Sequence, residues 1–522
     1  MADSLSLERR YLAEVLAVPR APLDADSKLT YDIFRRQREL DIEALTYPAE
    51  LMPVNPFDGM PVQLARAAAQ TEQRPLAAPK DFENWQLRID EYVRWQTQAI
   101  ANMHEGMRRG YTSPRVVMVR TLPLLQSLGE DVPGNVFYAL VRTMPQSIGE
   151  PERARLTSSL TSAVKDRLLP AYRELHDFIQ NEYLPRARPS LALSALPLGA
   201  SWYANRVKRA AGTQLTPNEI HAIGVAEVQR IQSRLKSLPP AAPAVAAPGA
   251  SPAAPGSGGA GAQGGAGVGA DELLNAYQEF KVQTLAAMPS LFSAVPPADF
   301  EIRALVPMSA AARVLAYQRA SPGAGTPAVL YIDTTASSAR SAKVETAGFL
   351  QEAIPGRHYQ SALQQERTDL PRFRRFGSEP AFVDGWALYA ASLGEELGLY
   401  RDDEARRGEL LGQLRCAVAL VVDTGLHAKG WTRDQAVAYL QAQMAADETE
   451  ANLWVDRFVA LPGDALACKI GELKIRALRS RAAEALGARF DVREFHSQIL
   501  DDGAMPLDIL EAKVLFWMEA RR

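Results

Sequence analysis

Cysteine is nearly missing from this chain: there are two in 522 residues, Cys416 and Cys468. Two are too few for a disulfide framework or a cysteine-rich zinc site. Both fall inside apolar helical patterns, so the expectation is a pair of buried thiols. No apolar run approaches the roughly 20 residues that a membrane-spanning helix needs. The opening MADSLSLERRYLAEV has neither the basic region nor the apolar core of a secretory signal. As given, the chain is therefore expected in the cytoplasm, unless an exported parent has had its signal trimmed. An excess of positive charge is also missing. The net charge of −3 argues against a nucleic-acid binder, which is usually basic.

What is present is a soluble composition, 47% hydrophobic and 23% charged, in a chain long enough for a large core. One boundary stands out. From Pro239 to Ala270 the sequence is almost wholly Ala, Pro, Gly and Ser, with no charged or aromatic side chain. Such a stretch cannot bury enough apolar surface to offset its ordering entropy, which predicts a disordered linker or loop reaching about 30 Å. It separates an N-terminal helical part (1–238) from a C-terminal part (271–522), the two expected to form one intertwined fold. Within it, GAGAQG (259–264) matches a dinucleotide-binding pattern. With no strand before it and no helix directly after, the match is an accident of composition.

Hydrophobic periodicity predicts a mainly α-helical protein. DFENWQLRIDEYVRWQTQAIANMHEGMRRG repeats apolar residues at helical spacing and stops at Gly110. Thr216, Pro217 and Glu219 form a helix start with a capping box. Further helical patterns cover 345–354, 381–399, 403–426, 432–444, 448–460, 464–485 and 508–520. Two segments, 300–308 and 328–334, read as strands. The expected architecture is a large helical fold with a small sheet beside a central cleft. No internal repeat is visible.

The chemistry concentrates in GFLQEAIPGRHYQ (348–360) and FVDGWALYAASLGEELGLY (382–400). Zinc hydrolysis on a helix commonly uses two histidines on one face, a glutamate after the first as general base, and a third ligand from a later helix. This chain has that layout, with Glu352 before a Pro-Gly break and Asp384 on the next apolar helix. Gln351 and Arg357 stand where imidazoles would be needed.

These segments and three later ones resemble the bacterial domain-of-unknown-function 885 family, helical proteins akin to zinc metallopeptidases. The family reads HEAxPGHHxQ, EGWALYxE, RxxRLVVDTGLHxxGW, PGQALAYKIG and FHDxxLxxGxLPL. Here the same places read QEAIPGRHYQ, DGWALYAA, RCAVALVVDTGLHAKGW, PGDALACKIG and FHSQILDDGAMPL. The resemblance implies a metallopeptidase-like fold, with Glu352 at the general-base position and vestigial ligand positions at Gln351, Arg357 and Asp384. It also draws His358, Tyr389, Lys469, Cys468 and His496, together with Arg357, toward a substrate cleft. The departures fall on polar motif positions: Gln351, Arg357, Asp384, Ala419, Asp464 and Cys468. An amide is a poor zinc ligand beside imidazole, and Arg357 brings a permanent cation to the place a dication would take. Zinc is therefore not expected as a cofactor, although His358 could supply one ligand.

Blander readings stand beside these. Glu352 can pair with Arg357 across the Pro-Gly break. Asp423 and His427, four apart on one helix, can form an acid–imidazole pair with a catalytic or pocket role, or His427 can simply sit at a helix C-terminus. Trp386 and Tyr389 suit core packing. His104, His176 and His221 suit helix surfaces. Cys468 with His427 or His496 would be a nucleophile pair only if the fold brings them together.

Three functions follow: a pseudoenzyme that keeps the cleft and binds a small or peptide-like ligand, a hydrolase with an unusual metal site or none, and a metal-independent catalyst of other chemistry. The sequence leaves the oligomeric state open.

Overall fold

The computed structural model describes residues 2–73, 76–240, 268–294, 298–305, 315–321, 325–334 and 344–521. The Ala/Pro/Gly stretch and its GAGAQG fall almost entirely outside the described residues. Helix Val268–Ala287 takes up the last three residues of that stretch.

The chain folds as its helix signals require. Helix Pro79–Arg109 stops at Gly110, whose φ of 78° is open to glycine and costly for other residues. Helix Pro217–Ser237 starts with reciprocal bonds between Thr216 and Glu219. Two hydrophobic cores form, and each takes residues from before and after the Ala/Pro/Gly stretch. The long helix Asp403–Ala428 serves both: Leu420 packs in one core, and Leu414, Val418 and Val422 in the other. Pro217–Ser237 packs along it, so Ile220 and Ile231 are similarly divided between the cores.

The sheet has three strands in the order β1-β3-β2. Strand β1 (Phe300–Ala304) runs parallel to β3 (Ala328–Ile332), and β2 (Leu315–Gln318) runs antiparallel to it. All five β3 side chains are buried, as expected of a central strand covered on both faces. Strand β2 carries no signal of its own in the sequence. It contacts helix Thr346–Glu352, and so supports the segment carrying Glu352.

Helices Pro380–Ser392 and Ala467–Leu486 cross at Gly385 and Gly471. A Cβ on either glycine would collide with the backbone of the other helix. That near-contact of main chains gives both motif glycines a packing role.

The expected pair of free thiols is corrected. Cys416 and Cys468 form a disulfide with Cα atoms 6.1 Å apart, tying helix Asp403–Ala428 to helix Ala467–Leu486. The cysteines lie 52 residues apart and meet only because these helices pack together. Cys468 is therefore not a thiol nucleophile in this structure.

Candidate functional site

The Pro-Gly break determines the site. Helix Thr346–Glu352 ends, the chain turns through Ala353 to Gly356, and helix Arg357–Glu366 begins. Any Cβ at Gly356 would strike the carbonyls of Leu350 and Gln351, so the turn closes only with glycine. The Trp386 indole donates to the Pro355 carbonyl at 2.9 Å and fixes the turn against helix Pro380–Ser392.

This geometry brings four sequence-predicted residues together. Arg357 Nε lies 3.1 Å from Glu352 Oε2, and its Nη1 donates to Asp384 Oδ1 at 2.5 Å. The Gln351 amide donates to Glu352 Oε1 at 3.3 Å. The pairing expected across the break therefore forms and extends to Asp384. Burial opposes the charge on Arg357, but the two carboxylates outweigh it and hold the guanidinium more firmly protonated than usual. The cluster is not sealed: Arg357 is 21% and Asp384 31% exposed at the side chain, against 8% for Glu352.

The residues present do not fit the metal that the resemblance implies. The guanidinium already bridges the two carboxylates that a dication would need, and Gln351 offers only an amide. Among the described residues, no three His, Cys, Asp or Glu side chains are grouped to hold a metal ion.

The other predicted residues lie in separate networks. Asp423 does not orient His427. Asp423 accepts from the Tyr203 hydroxyl at 2.5 Å and from the Gly463 N–H at 3.0 Å. His427 Nδ1 accepts from the Leu193 N–H at 3.0 Å, and Nε2 lies 2.9 Å from the Phe458 carbonyl. A backbone N–H only donates and a carbonyl only accepts, so these partners specify a neutral ring with its proton on Nε2. Burial pushes His427 down to about 4 and Asp423 up to about 7. Both are fully buried.

His496 and Tyr389 do meet. The Tyr389 hydroxyl lies 2.9 Å from His496 Nε2, accepts from Arg479 at 3.0 Å, and leaves His496 Nδ1 to the Leu291 carbonyl at 2.8 Å. Burial holds His496 near 4 and Tyr389 near 12. The neighbouring Trp386 is wholly buried, in keeping with its expected packing role.

Lys469 is also enclosed, between Gln413 Oε1 at 2.5 Å, Glu227 at 2.9 Å and Glu472 at 3.0 Å. Each of the three ammonium protons has a partner within the protein, which leaves no free amine for a substrate. Of the histidines expected on surfaces, His104 is half-buried against Phe178, His176 bonds Asp177, and His221 bonds Thr424.

His358 lies beside a different space. A cavity of about 320 Å³ opens next to it, lined from β2, β3 and helix Arg357–Glu366. Its Nε2 bonds the Ala298 carbonyl at 2.9 Å and its Nδ1 the Tyr317 hydroxyl at 3.2 Å. Burial lowers its pKa to about 4. Tyr317 and Ser361, which bond each other at 2.9 Å, are polar residues of this cavity that sequence reasoning missed. The four-residue strand carrying Tyr317 gave no signal.

These features define a mainly helical protein with a three-stranded sheet and an arginine-bridged carboxylate pair at a helix–turn–helix. The chain belongs to the family described as "Bacterial protein of unknown function (DUF885)", which matches residues 1–514. Among solved structures it is similar to a "putative lipoprotein" from Colwellia psychrerythraea, with TM-score 0.84, 24% identity, and coverage of 99% of this chain and 91% of that one. It is also similar to a "putative lipoprotein of unknown function" from Shewanella oneidensis, with TM-score 0.66, 14% identity, and coverage of 98% and 92%. At these identities the likeness concerns the fold. No curated protein matches the chain.

Proposed function

We propose that this is a metallopeptidase-like protein whose metal has been replaced by an internal cation, and that it acts as a binding protein rather than a hydrolase. The observation carrying this reading is the Arg357 guanidinium between Glu352 and Asp384. A fixed positive charge can neutralise the carboxylates and keep the turn in place, but it cannot activate a water as a Lewis-acidic metal does. Glu352, paired in this way, is a restrained base. The disulfide also weakens the alternative of a rebuilt cysteine catalyst, because Cys468 has no free thiol.

The test is metal content. Protein purified without chelator should contain well under one zinc per chain, and chelation should leave its melting temperature unchanged. One equivalent of zinc that survives dialysis would overturn the reading.

A separate observation bears on location. Disulfides persist in oxidising compartments and are rare in the cytosol, and both solved neighbours are described as lipoproteins. We infer that the protein works outside the reducing cytoplasm. Alkylation of the protein in freshly lysed cells should then leave both cysteines unlabelled until a reductant is added. Reduction should lower stability by about 2–4 kcal/mol, as expected for a long closed loop. Two labelled thiols before reduction would place it in the cytoplasm instead.

A further inference from the structure

The cavity beside His358 combines features that the Arg357 cluster does not. Its floor and walls include Ala298, Ala320, Ala328 and Ala362, small side chains that leave room and offer only apolar contact. Polar groups enter at defined points. Ser361 and Tyr317 present linked hydroxyls, held from behind by His358. Two charges of opposite sign complete the lining, Glu366 and Arg375.

These two charges do not neutralise each other, and neither forms an ion pair with any other described residue. Elsewhere the surface arginines are largely paired within the protein, as Arg367 is with Asp369 and Arg479 with Glu396. Arg375 is nonetheless held in place. Its Nε donates to the Gln365 carbonyl at 2.5 Å and its guanidinium packs over the Phe376 ring, and among the described residues its Nη groups have no hydrogen-bond partner. Gln365 is itself tied to the Ala320 carbonyl at 3.1 Å. The cation is therefore anchored to the cavity wall, whereas Glu366 is exposed at the end of its helix.

We propose that this cavity binds a zwitterionic small molecule, a free α-amino acid with a small uncharged side chain. Arg375 takes the carboxylate, Glu366 the ammonium, and the alanine-lined wall the side chain, within reach of the Ser361 and Tyr317 hydroxyls. Size supports the class. About 320 Å³ lies at the low end of the roughly 300–1,000 Å³ typical of small-molecule sites, and holds an amino acid. The site does not use Glu352, Arg357 or Asp384, so it stands apart from the metal question.

Calorimetry and thermal shift with alanine, valine and threonine test the proposal, alongside the N-acetyl and amide forms of whichever binds best. A free amino acid should bind and raise the melting temperature, and blocking either end should weaken it. Arg375→Gln should cost at least about tenfold in affinity, because it removes an anchored partner of a charge. Glu366→Gln should cost about threefold, in keeping with an exposed and screened carboxylate. Both substitutions are polar and outside the core, and circular dichroism would confirm that the variants fold. The proposal is overturned if no free amino acid binds at millimolar concentration. It is also overturned if a blocked form binds as well as the free one, or if binding survives both substitutions.

Discussion

Lowering the pH from 6.5 to 4 should destabilise this protein through three buried histidines. His358, His427 and His496 are each buried, and each has both ring nitrogens committed to partners that suit the neutral form. Burial depresses all three from 6.5 to about 4. A depressed folded-state pKa means stability that is present above the unfolded value and lost as pH falls toward the folded one. One pH unit between the folded and unfolded pKa is worth about 1.4 kcal/mol, so each histidine loses up to about 3 kcal/mol and the three together up to about 9. Asp423 works in the opposite direction. Its folded pKa is raised to about 7, so it is most favourable when protonated and regains up to about 4 kcal/mol over the same descent. For these four groups the balance is a loss of about 5 kcal/mol, which is large beside the stability of a typical domain. Urea titrations at pH 6.5 and 4 would measure it. A flat stability profile across this range would show that the three rings are not the buried neutral groups described above. The double variant His427→Gln, His496→Gln should be less stable at pH 7 yet lose less on acidification.

The features that could be read in the sequence are those set by neighbours along the chain. Thr216 with Glu219, Gly110 at a helix end, and Glu352 with Arg357 across five residues all rest on local spacing. Asp423 and His427 show where that limit lies. Their separation of four residues was readable, but each takes its partners from more than thirty residues away, at Tyr203, Gly463, Leu193 and Phe458. A saturated imidazole and a potential catalytic one look the same until those partners are placed. The same holds for Cys416 and Cys468, joined by helix packing, and for Arg357 with Asp384, joined by the indole-clamped turn. Strand β2 is short, and its sheet partner among the described residues, β3, follows it in the chain, so nothing local announces it. The cavity depends on that strand and was invisible for the same reason.

If the proposed reading holds, installing the ligand residues that the sequence resemblance implies should convert the arginine-bridged cluster into a metal site. Glu352, Gln351, Arg357 and Asp384 already converge, because the amide and the guanidinium both reach Glu352 and the guanidinium also reaches Asp384. Gln351→His would place an imidazole where the amide now donates. Arg357→His would remove the cation and add a second nitrogen donor, and Asp384→Glu would extend the third ligand by one methylene. Three ligands with an open position is the composition of catalytic zinc sites. Zinc affinity measured by calorimetry should rise at least about a thousandfold in the triple variant, or about 4 kcal/mol. The singles should be unequal. Gln351→His and Asp384→Glu should each do almost nothing while the guanidinium remains, because a fixed cation repels the dication and occupies its carboxylates. Arg357→His should take the largest single step. The effects should be strongly non-additive, as for side chains that share one site. A triple variant that folds normally yet binds zinc no better than the parent would mean that the turn itself no longer presents ligands. The reading of this protein as a metallopeptidase scaffold with an arginine in place of its metal would then fail.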